Sequence, residues 1–238
     1  MGGPWLPVTG RYTEGMVFPS PVAAVLFDMD GLLLDTERIA VAALMGAVCD
    51  VGYEMDPAYG LSMIGVAGKE SEAMVRAYFG PAFPMEAYDR AFDTHRRALI
   101  ASGIPLKPGV RELLDYLEAR GIPRAVATSS GRRTAEHCLG STGLLARFSA
   151  VVTREDVART KPHPDPYLKA ADLLGVPPAQ CIVLEDSHFG IRAAHAAGTM
   201  PVMVPDLLAA TAEMEALCVA VAGDLHAVRA LLAAPNGE

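Results

Sequence analysis

Short apolar runs alternate with longer amphipathic segments along most of the chain. Residues 22–27 form an uncharged run that ends at Asp28, and later runs end at Thr128 and at Glu185. Such runs are typical of strands buried on both faces, and the segments between the later runs carry apolar residues at helical spacing and end at glycines. The last predicted strand covers residues 201–204. This alternation predicts an α/β fold with a doubly wound parallel sheet and right-handed crossovers.

The segment between the first two predicted strands is longer than one crossover needs. From residue 36 to residue 107 the apolar positions keep helical spacing, and no strand pattern interrupts them. One helix is enough to join two parallel strands, so the excess predicts an inserted α-helical domain over residues 36–107. The rest of the chain then divides into a flexible N-terminal arm at residues 1–20 and a core of residues 21–35 and 108–238.

Charge and cysteine content limit the partners and the compartment. The 238 residues include 20 basic and 28 acidic side chains, a net charge of -8. This balance argues against a nucleic-acid or anionic-membrane partner, and the uncharged stretch 39–49 is too short to span a bilayer. The four cysteines lie far apart and form no C-x-x-C pair, which favours free thiols in a cytoplasmic protein. No pattern specifies an oligomeric state.

Acidic side chains follow two of the predicted strands. Asp28 and Asp30 come after the first strand, and Glu185 and Asp186 end a later one. Because parallel strands end at one edge of the sheet, we expect these acids to gather there. Pooled carboxylates repel one another without a cation, and oxygen ligands without a His or Cys cluster favour Mg²⁺ over zinc. Two aspartates at i and i+2 point the same way, so one can attack phosphorus while the other transfers protons.

Hydroxyl and basic residues predict an anion site near these acids. Thr128 and Ser129 end a strand just before a helix begins, where hydroxyl and backbone N–H groups are suited to phosphate oxygens. Lys161 supplies a positive charge in a segment that prolines stiffen. An anion site beside a nucleophile and a metal site points to phosphoryl transfer.

Four ordered motifs resemble those of the haloacid-dehalogenase superfamily. They are residues 27–37 (FDMDGLLLDTE), 125–130 (AVATSS), 161–165 (KPHPD) and 183–191 (VLEDSHFGI). The chain is similar in particular to the branch that contains β-phosphoglucomutase, phosphoglycolate phosphatase and pseudouridine-5'-phosphatase. Members of this branch carry a helical cap between the first and second motifs, on a Rossmann-like core. The resemblance therefore implies that the helical insert is a cap domain.

The resemblance also implies a role for each motif residue. It makes Asp28 the nucleophile that becomes an aspartyl phosphate, and Asp30 the general acid and base. The implied ligands of the phosphoryl group are Thr128, Ser129 and Lys161. The implied ligands of Mg²⁺ are Asp28, the backbone carbonyl of Asp30, Glu185 and Asp186. Lys69, in the segment that corresponds to the substrate-contacting part of the cap, is a candidate for substrate specificity.

The leading hypothesis is a Mg²⁺-dependent phosphatase of a small soluble phosphate ester, such as a sugar or nucleoside monophosphate. One alternative is a phosphosugar mutase of the β-phosphoglucomutase type. Those mutases use a histidine in the first cap helix, whereas the matching residue here is Ala40 and the aromatic residue a turn later is replaced by Leu44. An alternative of another class is a phosphoacceptor signalling domain, which also groups acids, a hydroxyl and a lysine but lacks the insert and the second aspartate. Selectivity lies in the cap, so the sequence does not name the substrate.

Overall fold

The computed structural model describes residues 18–63, 66 and 69–234, and for residues 69 and 70 it describes the backbone alone. Most of the predicted N-terminal arm, residues 1–17, lies outside this range. The six strands of the described part are β1 (Ala24–Phe27), β2 (Arg124–Ala127), β3 (Ala150–Val152), β4 (Cys181–Glu185), β5 (Met200–Met203) and β6 (Ala220–Val221). The ten α-helices found there are α1 (Thr36–Asp50), α2 (Pro57–Ser62), α3 (Lys69–Phe79), α4 (Met85–Ala101), α5 (Val110–Ala119), α6 (Arg132–Ser141), α7 (Asp165–Leu174), α8 (His188–Ala196), α9 (Ala212–Leu217) and α10 (Leu225–Ala233).

The strands form one parallel sheet in the order β3-β2-β1-β4-β5-β6. The chain fills one side of β1 with β2 and β3 and then crosses to build the other side, so the strand order reverses beside β1. Ligands of open α/β sheets bind at such a reversal, outside the carboxyl ends of the strands. The prediction of a doubly wound α/β fold is confirmed. The prediction that residues 201–204 form the last strand is wrong, because the two-residue strand β6 pairs with β5.

Helices cover both faces of the sheet, which explains the continuous apolar runs. Val25 and Phe27 of β1 pack with Leu113 of α5 in one buried cluster. Leu26 points to the opposite face and packs with Tyr167 of α7 in another cluster. Full burial of a side chain of this size stabilises a fold by roughly 1.5–3 kcal/mol, so both faces of β1 contribute to the core.

Helices α1 to α4, which lie between β1 and α5 in the chain, form the helical insert. They have an apolar cluster of their own, in which Leu44 and Val48 of α1 face Met85 and Tyr88 of α4. Aromatic rings complete this cluster, with the Phe83 ring among them. The helical character predicted for this segment is observed, and the domain boundaries at residues 36 and 107 stay a prediction.

The two connections between the helical insert and the sheet run side by side. Leu34 and Leu106 form an antiparallel bridge. Four charged residues surround the bridge and form what we call the hinge network: Asp35, Arg38, Lys107 and Asp206. The carboxylate of Asp206 lies 2.8 Å from the guanidinium of Arg38 and 2.7 Å from the ammonium of Lys107. Both connections are therefore tied to the same loop after β5.

None of the helices in the described ranges is both long and apolar enough to cross a membrane. All four cysteines are free. Cys138 and Cys181 are buried, and burial raises the pKa of each thiol to about 11. Cys49, in contrast, is exposed.

Candidate active site

The acidic residues meet because β1 and β4 end side by side. Phe27 pairs with Leu184, so Asp28 follows β1 at the level where β4 ends in Glu185. Gly31 turns the chain directly after β1 with a positive φ of 83°. A Cβ at this position would lie 2.2 Å from Oδ2 of Asp186, so glycine is needed for both the turn and the close approach.

Three carboxylates form a buried cluster at this point. Asp28, Glu185 and Asp186 each offer an oxygen within 4.8 Å of the others, and no more than 6% of any of the three residues is exposed. Burial raises the pKa of Asp28 well above its ordinary value, against the opposite effect of Lys161. Burial and then the charge of Glu185 raise the pKa of Asp186 in the same way. A divalent cation would favour the ionised carboxylates, so this set of hard oxygen ligands fits Mg²⁺.

Lys161 lies between two of these acids. Its Nζ contacts Oδ1 of Asp28 and lies 2.6 Å from Oε1 of Glu185. Burial opposes the charge of Lys161, but the two carboxylates outweigh burial and raise the pKa of Lys161 above its ordinary value. The ammonium group therefore stays charged and offsets part of the negative charge of the cluster.

Four donors hold the carboxylate of Glu185. Oε1 accepts from Lys161 Nζ and from the Tyr167 hydroxyl, each at 2.6 Å. Oε2 accepts from the backbone N–H of Ser187 at 3.1 Å and from its hydroxyl at 3.0 Å. Burial, followed by the charge of Glu185, raises the pKa of Tyr167, so its hydroxyl remains a donor. Gly190 of α8 lies against the same carboxylate, where a side chain would overlap it.

Asp30 is held by a different set of groups. Its Oδ1 accepts from the Thr36 hydroxyl at 2.6 Å, and its Oδ2 accepts from the hydroxyls of Thr128 and Ser130 at 3.1 and 2.8 Å. Thr36 begins α1, so this contact also joins the helical insert to the end of β1. A hydroxyl can donate or accept, so the same neighbours orient Asp30 in either protonation state.

These groups open into a cavity of about 450 Å³ between the core and the helical insert. The core side includes Asp28, Asp30, Ser129, Ser130, Lys161 and Asp186. The insert side includes Ala40 and Leu44 of α1 and Tyr88, Phe92 and Arg96 of α4. None of the described side chains forms a hydrogen bond or ion pair with Arg96. The cavity therefore has an acidic end on the core side and a wall of apolar and charged side chains on the insert side.

The structure brings most of the predicted site residues to this cavity. Ser129 lines it, whereas Thr128 is 1% exposed and directs its hydroxyl to Asp30. Lys69 begins α3, but its side chain lies outside the described residues.

Sequence reasoning missed four residues that contact the acids. Ser130 ends the same motif as Thr128, and Ser187 directly follows Asp186 in the motif 183–191, so the motifs themselves carried the signal. Thr36 lies six residues after Asp30 at the start of α1, where a threonine in the sequence indicates a helix cap rather than a contact with Asp30. Tyr167 had no signal of its own, because a tyrosine in an amphipathic helix is usually part of a core.

The sheet, the helical insert and the acidic cluster at the reversal point define an α/β enzyme with its site between core and insert. Residues 25–204 match the family model described as haloacid dehalogenase-like hydrolase, and the chain belongs to this family. The predictions of the superfamily and of a hydrolytic enzyme are thereby confirmed.

The relatives of the chain include named phosphatases. It is 34% identical over 195 residues to Protein CbbY of Rhodobacter capsulatus. The matched region covers 76% of this chain and 85% of the relative. It is also 34% identical over 195 residues to the probable pseudouridine-5'-phosphatase of Drosophila melanogaster, with 78% of this chain and 82% of the relative covered. A solved structure of mutant CbbY from Rhodobacter sphaeroides, in complex with xylulose-(1,5)bisphosphate, is 31% identical and superposes with a TM-score of 0.65. That superposition covers 77% of this chain and 86% of the other.

Proposed function

We propose that the chain is a Mg²⁺-dependent phosphatase that hydrolyses a small soluble phosphate monoester, such as a sugar or nucleoside monophosphate. The observation that carries the proposal is the buried cluster of Asp28, Glu185 and Asp186 beside Lys161 at the end of the cavity. A relative named as a phosphatase and a similar structure that holds a sugar bisphosphate support it. We propose no nucleic-acid or membrane partner. We also propose a cytoplasmic location, which the four free thiols support.

In this mechanism Asp28 attacks the phosphorus atom of the ester. The contact between Lys161 and Oδ1 orients the carboxylate. As the bond from Asp28 to phosphorus forms, the bond from phosphorus to the ester oxygen breaks, and protonated Asp30 donates its proton to the leaving oxygen. The products of this half-reaction are the free alcohol and an aspartyl phosphate on Asp28.

The second half-reaction returns the enzyme to its starting state. The carboxylate of Asp30 takes a proton from a water molecule, whose oxygen attacks the phosphorus atom and releases inorganic phosphate from Asp28. Thr36, Thr128 and Ser130 keep Asp30 in place while it changes protonation state.

The anion and cation sites would act on the transferring group itself. Ser129 and Lys161 lie at the acidic end of the cavity, where they would bind phosphoryl oxygens. The groups that would hold Mg²⁺ are Asp28, Glu185, Asp186 and the backbone carbonyl of Asp30. When bound, the ion would offset the negative charge that develops on the phosphoryl oxygens. Lys69 remains a proposed specificity residue.

The insert side of the cavity favours hydrolysis over the mutase alternative. Ala40 lines the cavity at the position that corresponds to the mutase histidine, and its methyl group cannot move a proton. The second alternative is a phosphoacceptor domain. In such a domain phosphorylated Asp28 would be long-lived, whereas in a phosphatase it would be hydrolysed rapidly, so an experiment distinguishes the two.

The test is phosphate release from a panel of sugar phosphates, nucleoside monophosphates and phosphoglycolate, with and without Mg²⁺, for the wild type and Asp28→Asn. We expect Mg²⁺-dependent release that the substitution lowers at least about a thousandfold, because no other residue in the mechanism replaces the nucleophile. Circular dichroism checks that the variant is folded. Residual turnover of a few per cent, with contamination excluded, would contradict the role of Asp28. A long-lived phosphorylated Asp28 without turnover would instead indicate the phosphoacceptor domain.

A further inference from the structure

We propose that Tyr167 is a positioning residue for the cation site, because its buried hydroxyl orients the carboxylate of Glu185. This inference rests on the proposed function, since it concerns the same Mg²⁺ site. Tyr167 is separate from the acids in sequence and in element: it lies in the first turn of α7 and is not among the residues that line the cavity.

Tyr167 packs among apolar side chains and contacts Glu185 through its hydroxyl. Its side chain is the largest of the fully buried ones in the described part of the chain, and it packs in the same cluster as Leu26 and Val183. The hydroxyl donates to Oε1 of Glu185 at 2.6 Å. A phenylalanine would fill the same apolar volume, so the phenolic oxygen contributes the polar contact with Glu185 rather than packing.

Tyr167 and Lys161 donate to the same oxygen atom of Glu185. The ammonium group contacts both Asp28 and Oε1 of Glu185, and its position is therefore set by two carboxylates. The Tyr167 hydroxyl approaches the same Oε1 atom as Lys161 and fixes Glu185 independently of the lysine. The Tyr167 ring also lies 5.0 Å from Nζ of Lys161, close enough for a cation–π contact. Tyr167 thus contacts one member of the site through its ring and another through its hydroxyl.

A phenylalanine substitution separates these two contacts. Tyr167→Phe keeps the ring and the apolar packing but removes the hydroxyl that donates to Oε1 of Glu185. Groups that orient metal ligands typically change metal affinity by about 10- to 100-fold when they are removed. We therefore expect weaker Mg²⁺ binding without loss of the fold.

Tyr116 provides a matched control. Its hydroxyl donates to the backbone carbonyl of Leu232 at 2.8 Å, and it is outside the acidic cluster and the cavity lining. Tyr116→Phe removes one tyrosine hydroxyl hydrogen bond, as Tyr167→Phe does, so it reports the effect of that loss on the fold alone.

The experiment is isothermal titration of Mg²⁺ into the metal-free full-length wild type, Tyr167→Phe and Tyr116→Phe, followed by kcat at saturating Mg²⁺. We expect Tyr167→Phe to raise the Mg²⁺ dissociation constant about tenfold or more while saturating Mg²⁺ restores most of kcat, and Tyr116→Phe to leave the dissociation constant unchanged. Wild-type affinity in Tyr167→Phe, or equal weakening in both variants, would overturn the inference. A wild type that binds no Mg²⁺ would overturn the proposed function as well, so the two failures are distinguishable.

Discussion

A methyl group at Gly190 would overlap the carboxylate of Glu185, which accepts hydrogen bonds from four donors. A Cβ built on Gly190 lies 1.7 Å from Oε1 of Glu185 and 1.8 Å from its carboxyl carbon. The carboxylate would have to retreat by about 1.6 Å, the difference between 1.8 Å and the 3.4 Å of ordinary van der Waals contact. Glu185 is fully buried, so this movement occurs inside a packed core.

The expected effect follows from the hydrogen bonds that this movement breaks. The donors from Lys161 and Tyr167 lie 2.6 Å from Oε1 of Glu185, and a shift of this size takes both out of range. Hydrogen bonds to charged groups contribute about 1.5–3 kcal/mol each, so their loss costs about 3–6 kcal/mol. Alanine is more favourable than glycine inside a helix by about 1 kcal/mol. We therefore expect Gly190→Ala to lower the free energy of unfolding by about 2–5 kcal/mol.

Gly140 provides a control for the substitution at Gly190. It also lies in a helix, α6, but a Cβ there meets nothing within 4 Å. Gly140→Ala should therefore stabilise the protein by about 0.4–1 kcal/mol. Urea unfolding of both metal-free variants, with Mg²⁺ titration of each, measures the two effects. If Gly190→Ala unfolded at the same urea concentration as Gly140→Ala and bound Mg²⁺ as the wild type does, the close packing against Glu185 would be refuted.

Two further predictions concern the cavity and the acids. Arg96→Gln should raise KM about tenfold or more for esters whose leaving group carries a second anionic group, because Arg96 lines the cavity and no described side chain pairs with it. Arg97→Gln, which removes a neighbouring arginine paired with Asp93 at 3.0 Å, should leave KM unchanged; equal effects of the two variants on KM would contradict the assignment. The raised pKa values of Asp28 and Asp186 mean that the folded metal-free chain keeps protons that the unfolded chain releases, so stability falls as pH rises above the ordinary value of 3.8. Mg²⁺ should therefore raise the melting temperature more at about pH 8 than at about pH 5, and an equal increase at both pH values in scanning fluorimetry would contradict this reasoning.

Strand ends could be predicted from the sequence because apolar runs and topology together determine them. An uncharged run that stops at Asp28 and another that stops at Glu185 must meet if both strands are parallel neighbours. The strand β6 could not be predicted in this way, since two residues, Ala220 and Val221, carry no pattern. Its presence depends on β5, whose edge would otherwise lack a partner on that side.

Side chains that reach the site from other elements were harder to predict. Tyr167 contacts Glu185 only because α7 packs against the sheet, and periodicity does not define how a helix is placed there. Arg96 carried a usable signal, since Tyr88, Phe92 and Arg96 recur at intervals of four and share one face of α4. Lys69 was predicted from the family resemblance alone.

The hinge network restricts how the helical insert can move. Leu34 and Leu106, one in each connection, are bridged, and Arg38 and Lys107 share the carboxylate of Asp206, so both connections are held at one place. A movement of the insert relative to the sheet would have to be accommodated there. The side chain of Asp206 is only 5% exposed, so dissolved salt screens its ion pairs less than it screens exposed pairs, and loss of this one carboxylate would release Arg38 and Lys107 together.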